Sequence, residues 1–162
     1  MKRLILMRHA KSDWSTGLDD HDRPLNARGR LSAAALGDWM RQTGHLPDEI
    51  LCSTATRTRE TLERSGVTAP VRYESSLYHA APNTMFEVLS GASGAVVLML
   101  GHNPGIAAFA HRMVAAAPDH PRFADYPTCA TLVAEFEIDA WTDLTPGTGR
   151  AVDFVIPREL AG

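Results

Sequence analysis

The sequence predicts an α/β protein, a three-layer α/β/α sandwich around a mostly parallel but mixed central sheet, and three observations carry that expectation. Two short runs, Leu4-Ile5-Leu6-Met7 and Ala95-Val96-Val97-Leu98-Met99-Leu100, are apolar without alternation, the pattern of strands buried on both faces. Helical spacings of apolar residues fall between them, so strand and helix alternate along the chain. The last third then turns to alternating patterns at 131–138 and 151–156, two strands joined by the turn-rich Thr145-Pro146-Gly147-Thr148-Gly149.

In chain order, the first apolar run is followed by a helix over 28–40, with Leu31, Ala34, Ala35, Leu36 and Trp39 at helical spacing and Gly44 as its stop. A weaker run, Glu49-Ile50-Leu51-Cys52, is a further strand candidate. The segment 55–64 reads as a helix that Ser53 or Thr54 would cap, with Arg59 pairing Glu63 on its solvated face. Met85, Val88 and Leu89 mark a third helix ended by Gly91. A fourth is expected over 104–117, with Asn103 at the N-cap and Pro104 at the first helical position.

At 162 residues the chain is expected to form one domain, 1–162, large enough to bury roughly 70% of its unfolded surface. A hydrophobic content of 44% and a charged content of 22% exclude disorder and fibrous classes. Net charge is −3 and there is no Lys/Arg run, so nucleic acid is not an expected partner. No stretch approaches a membrane span, and the apolar start is too short for a secretory signal. The two cysteines, Cys52 and Cys129, form no paired motif, which fits a reducing compartment and predicts a cytoplasmic protein.

Chemistry concentrates where strands end. Met7-Arg8-His9-Ala10 switches from apolar strand directly to Arg and His, and in open α/β sheets ligands bind at the carboxyl ends of strands. Gly101-His102-Asn103-Pro104-Gly105 has the same strand-to-helix setting, with free N–H groups that favour an anion beside His102. In Ser53-Thr54-Ala55-Thr56-Arg57-Thr58-Arg59, Arg57 falls in a first helical turn, where a cation opposes the dipole unless an anion offsets it. Two Arg and two His thus converge without a metal-type carboxylate cluster. Arg matches phosphate oxygens bidentately and neutral His is a nucleophile near pH 7, so the set points to phosphoryl transfer with neither metal nor cofactor. Asp19-Asp20-His21-Asp22 reads as a solvated acidic loop, since its acids are adjacent rather than alternately spaced for a cation.

The residues just given resemble the histidine phosphatase superfamily, whose Arg-His-Gly motif here reads Arg8-His9-Ala10, and within it the SixA-type phosphohistidine phosphatases. The resemblance rests on LILMRHAKSDW at the start, DRPLNARG at 22–29, STATRTRET at 53–61, LYHA at 77–80 and GHNPG at 101–105. It implies a phosphoglycerate mutase-like fold and a phosphatase acting through a covalent phosphohistidine at His9, with Arg8, Arg57 and His102 around the phosphoryl group. Arg23 is similar to an additional phosphate or substrate contact, and Asn103 joins it as a binding candidate. Trp14 fits either the substrate entrance or a loop anchor. Ester-cleaving relatives carry an acidic proton donor where this chain has Leu77-Tyr78-His79-Ala80, leaving His79 and Asp13 as candidate donors. The implied partner is a phosphorylated protein such as a histidine phosphotransfer domain, or a small phosphorylated substrate. The rival readings are a small-molecule phosphomonoesterase and a non-catalytic phosphate-binding module.

Overall fold

The computed structural model describes residues 1–160. Its strands are β1 (Lys2–Arg8), β2 (Glu49–Ser53), β3 (Val71–Glu74), β4 (Val96–Gly101), β5 (Thr131–Phe136) and β6 (Arg150–Val155), and its helices α1 (Ala27–Thr43), α2 (Thr56–Ser65), α3 (Pro82–Ser90) and α4 (Gly105–Met113). They form one six-stranded sheet in the order β3-β2-β4-β1-β5-β6. β1, β2, β3 and β4 run parallel, whereas β5 is antiparallel to both β1 and β6, so the sheet is mixed as expected.

The uninterrupted apolar runs are explained by burial on both faces. Leu4, Leu6, Leu51, Val97 and Met99 pack with Met85 and Leu89 of α3 and Ile106 and Phe109 of α4. On the opposite face Ile5, Met7, Ile50, Cys52, Leu98 and Leu100 pack with Leu36 and Met40 of α1 and Leu62 of α2. α1 begins where Asn26 Oδ1 accepts from the Gly29 N–H (2.8 Å) and ends at Gly44, whose φ of 74° suits glycine. Gly29 has no substitute there, because a Cβ would lie 2.1 Å from the Lys11 carbonyl oxygen. This close approach pins the loop that follows β1.

Four local expectations change. β3 has no counterpart in the sequence reading, because Val71, Arg72 and Tyr73 are exposed on the sheet edge and carry no burial pattern. α2 is capped by Ala55 rather than by Ser53 or Thr54, and Ser53 instead accepts from the Ala55 N–H (3.3 Å). Arg59 stacks on the Tyr73 ring, 4.2 Å from its centroid, instead of pairing with Glu63. α4 starts later and ends earlier than 104–117: the N-cap falls on Pro104, and Val114 leaves the helix to bridge Gly149. Asn103 sits one residue before the cap, yet its Oδ1 still takes the free Ala107 N–H (3.2 Å).

Among the described residues no helix is long and apolar enough to cross a membrane. Cys52 and Cys129 are free and buried, and burial pushes both thiols up to about 12, which keeps them protonated.

Candidate active site

The sheet register sets the site. Arg8 lies opposite Gly101 and Cys52 opposite Leu100, so β1, β2 and β4 release their chains side by side at one edge. Arg8, His9, Arg57 and His102 consequently line one cavity of about 300 Å³, together with Lys11, Ser12, Trp14, Asp20, Arg23, His79, Asn103 and Thr128.

His9 is buried, and its Nδ1 donates to the Ala10 carbonyl (2.7 Å). A carbonyl can only accept, so this bond places the ring proton on Nδ1 and leaves the Nε2 lone pair free. The backbone around it is tied on three sides: His9 N–H to Gly101 O, Cys129 N–H to His9 O, and Ala10 N–H to the Thr61 hydroxyl. Burial, and then the neighbouring His102, Arg8 and Arg57, hold the His9 pKa well below its usual value despite the opposing Ala10 bond. At neutral pH the ring is uncharged.

His102 stands beside it, with ring centroids 5.2 Å apart. Its Nε2 lies 2.8 Å from the Ser53 hydroxyl, while its Nδ1 is buried and has no protein partner. Ser53 is fully buried and already accepts from Ala55, so the arrangement that uses its hydroxyl proton is donation to His102 Nε2. That puts the ring's single N–H proton on Nδ1 as a free donor. Burial, reinforced by Arg57, lowers the His102 pKa to about 3. Ser53→Ala is therefore expected to lower kcat about tenfold by releasing this tautomer, with KM changed little; unchanged kcat would remove Ser53 from the site.

The guanidinium groups are held by backbone and by one carboxylate. Arg8 Nη1 donates to the Tyr126 carbonyl (3.1 Å), and Tyr126 is itself anchored by its hydroxyl to Leu6 O (2.5 Å) and Leu132 N–H (3.1 Å). Burial lowers the Arg8 pKa. Arg57, 3% exposed, donates to Asp20 O (2.6 Å) and Asp20 Oδ2 (3.0 Å). Arg23 donates through Nη1 to Asp20 Oδ1 (2.6 Å) and through Nε to Ser12 (3.0 Å). Tyr78 donates its hydroxyl to Asp20 Oδ2, which also lies 3.2 Å from His79 Nε2. The Nε atoms of Arg8 and Arg57 are buried without a partner.

Asp20 corrects the expectation of a solvated acidic loop. Its carboxylate turns inward to bridge Arg23, Arg57, Tyr78 and His79, and the Tyr78 bond together with the two Arg holds its pKa far below the usual carboxylate range. The signal in the sequence is Arg23 three residues later, an i,i+3 pair that is readable only once the short turn at 20–22 is known.

The remaining candidates separate. Trp14 is 78% exposed at the rim, with the Arg23 guanidinium 3.6 Å from its ring centroid. Asn103 lines the cavity, but its Nδ2 donates to the Asp125 and Tyr126 carbonyls (2.9 and 3.1 Å). His79 lines it in a left-handed conformation, φ 54°, that is uncommon for a non-glycine residue. Asp13 does not line it: its carboxylate accepts from Ser15 N–H (2.9 Å) and Ser15 Oγ (2.6 Å), which lowers its pKa. Sequence reasoning missed Ser53, Tyr78 and Tyr126 as supports. Among the described residues no group of three or more His, Cys, Asp or Glu is placed to hold a metal ion.

Two buried histidines held neutral make stability pH-dependent. On unfolding they return towards 6.5 and bind protons that the folded state refuses, so stability is complete above that value and is lost as pH falls below it. The urea midpoint is expected to fall from pH 7 to pH 5, with a shallower slope in His102→Asn. Parallel slopes would count against a neutral buried His102.

Comparison with known proteins agrees on one family. The model of the histidine phosphatase superfamily (branch 1) matches residues 4–79. An uncharacterized protein of Mycobacterium tuberculosis, Rv1276c, is 38% identical over 159 residues, covering 94% of this chain and 100% of the relative. A solved structure from Nakamurella multipartitia, provisionally named phosphohistidine phosphatase SixA, is 32% identical with a TM-score of 0.82 and covers 96% of each chain. A second, from Agrobacterium tumefaciens and provisionally given the same name, is 28% identical with a TM-score of 0.79, covering 96% of this chain and 99% of that one. With strand-end Arg8-His9 facing Arg57 and His102 on a phosphoglycerate mutase-like sheet, the chain belongs to the histidine phosphatase superfamily, in its SixA-type branch.

Proposed function

We propose that this protein hydrolyses phosphohistidine in a phosphorylated protein, through a covalent phosphohistidine at His9 and without a metal ion. The observation that carries the reading is the His9 tautomer: the Nδ1–H bond to Ala10 O leaves Nε2 as an uncharged nucleophile in a residue whose cavity two arginines also line. Nε2 attacks phosphorus, the bond from phosphorus to the substrate nitrogen breaks, and its electron pair leaves with the substrate imidazole, which departs neutral because its other ring nitrogen already carries a proton. Arg8 and Arg57 neutralise the phosphoryl oxygens and His102 Nδ1–H donates to one of them as charge builds. Water then attacks the phosphorylated His9, releasing inorganic phosphate and restoring the imidazole. The names given to the two SixA structures support the same substrate class.

The leaving group argues for phosphohistidine over an ester. Among the described residues Asp20 is the one carboxylate lining the cavity, and its strongly lowered pKa leaves it no proton to give at neutral pH. An alkoxide needs such a proton, an assistance of about 10²–10⁴-fold, whereas a phosphohistidine protonated at its other ring nitrogen expels neutral imidazole, whose free pKa is roughly 6.5, without it. The buried, protonated thiols and the implied phosphoprotein partner, such as a histidine phosphotransfer domain, are consistent with a cytoplasmic setting.

The test compares turnover of phosphohistidine, an activated aryl phosphate and an unactivated sugar phosphate by one preparation, with and without EDTA. The first two are expected to be cleaved, the third scarcely, and EDTA to change nothing. Efficient sugar phosphate hydrolysis, abolished by His79→Ala, would replace this reading with that of a small-molecule phosphomonoesterase. Loss of turnover on chelation, restored by a divalent ion, would overturn the metal-free mechanism. Phosphate binding with no turnover of any substrate would leave a binding module.

A further inference from the structure

A second cavity of about 270 Å³ adjoins the candidate active site and shares Lys11 and Thr128 with it. Four cations line it, Lys11, Arg28, Arg122 and Arg158, and among the described residues no acidic side chain does. They come from four separate segments: the loop after β1, the first turn of α1, the loop before β5 and the turn at Pro157–Glu159. Arg122 is held by Asp125, but Lys11, Arg28 and Arg158 have no ion pair or side-chain hydrogen bond among the described residues. The nearby Glu159 is engaged by His120 (2.9 Å). Arg28 stands in the first turn of α1, which has no acidic residue, so it opposes the helix dipole without compensation. In a chain of net charge −3, three uncompensated cations at one cavity form a local field of the opposite sign. Beyond Arg28 and Arg158 the groove continues past Ala35 and Pro157 to Leu31, which is 73% exposed.

We propose that this groove docks an acidic segment of the phosphorylated protein, aligning its phosphohistidine with His9. A run from the catalytic cavity through a basic stretch to an exposed apolar residue matches an extended chain bearing Asp or Glu and an apolar side chain, and is longer than a small phosphorylated compound needs. The inference rests on the phosphoprotein reading above and extends it to substrate choice.

The experiment uses a phosphohistidine peptide flanked by Asp and Glu, its twin flanked by Asn and Gln, and free phosphohistidine. At low ionic strength the wild type is expected to prefer the acidic peptide by about tenfold in kcat/KM, a preference that salt erodes. The exposed pair Arg28→Glu with Arg158→Glu should abolish that preference and leave free phosphohistidine turnover unchanged, with Arg28→Gln/Arg158→Gln as the milder control. No preference in the wild type, an undiminished preference in the variants, or an equal loss on free phosphohistidine would overturn the groove. If the wild type hydrolyses none of the three, the proposed reaction fails by itself. The groove is then judged by binding of the unphosphorylated acidic peptide, which should weaken about tenfold in the double variant and whose absence would refute docking.

Discussion

Replacing His9 with Ala is expected to reduce turnover on the order of 10⁴–10⁶-fold, the scale seen when a covalent nucleophile is removed, while the melting temperature changes little. The His9 side chain makes one hydrogen bond, to the carbonyl of its own neighbour, and its burial beside two guanidinium groups disfavours its charged form. Little of the fold depends on it. The paired measurement is chemical: wild type quenched in alkali during turnover should carry an acid-labile phosphoryl group at His9. A label on His102 or on a serine would reverse the assignment, and residual activity of a few per cent in His9→Ala would end it.

The second large effect is expected at Arg57, where Lys keeps the charge but should lower kcat about 10²–10³-fold, the usual cost of losing one oriented transition-state donor. Two of its nitrogens hold Asp20, one through the backbone carbonyl and one through the carboxylate, and its Nε is buried without a partner. An ammonium has no fork to reproduce that geometry, and it would also loosen the 19–22 segment that positions Arg23. Steady-state kinetics on an activated aryl phosphate, alongside thermal melting, checks this. Near-wild-type kcat in Arg57→Lys would show that charge alone suffices.

Legibility followed how local each signal is. Arg8, His9 and His102 could be read because each stands directly after an apolar run, and a chain that turns polar at a strand end sits at the rim of a parallel sheet. Arg57 could be read because a cation in a first helical turn asks for an anion. Asp20 could not: in an acidic tetrapeptide nothing distinguishes it from Asp19 or Asp22, and only the turn at 20–22 aims it at Arg23 and Arg57. Ser53 had the composition of a helix cap, but its hydroxyl is spent on His102, 49 residues away. Tyr126 lies in a loop whose value comes from a hydroxyl bonded to Leu6 and a carbonyl offered to Arg8. β3 escaped notice because an exposed four-residue edge strand has no buried face to impose a pattern.

What the sequence by itself determined is the buried elements, all but the exposed edge strand β3, and the chemistry they can present. Apolar runs buried on two faces require a covered sheet, and Arg and His at strand ends favour an anion over a cation beside them. Tertiary structure decided which groups hold those residues ready. Hydrogen-bond satisfaction is settled between segments distant in the chain: Ser53 selects the His102 tautomer, Asp20 bridges two arginines, and Tyr126 fixes Arg8. Such bonds leave no periodicity behind, because a buried polar atom needs one partner at about 3 Å and is indifferent to where along the chain that partner comes from.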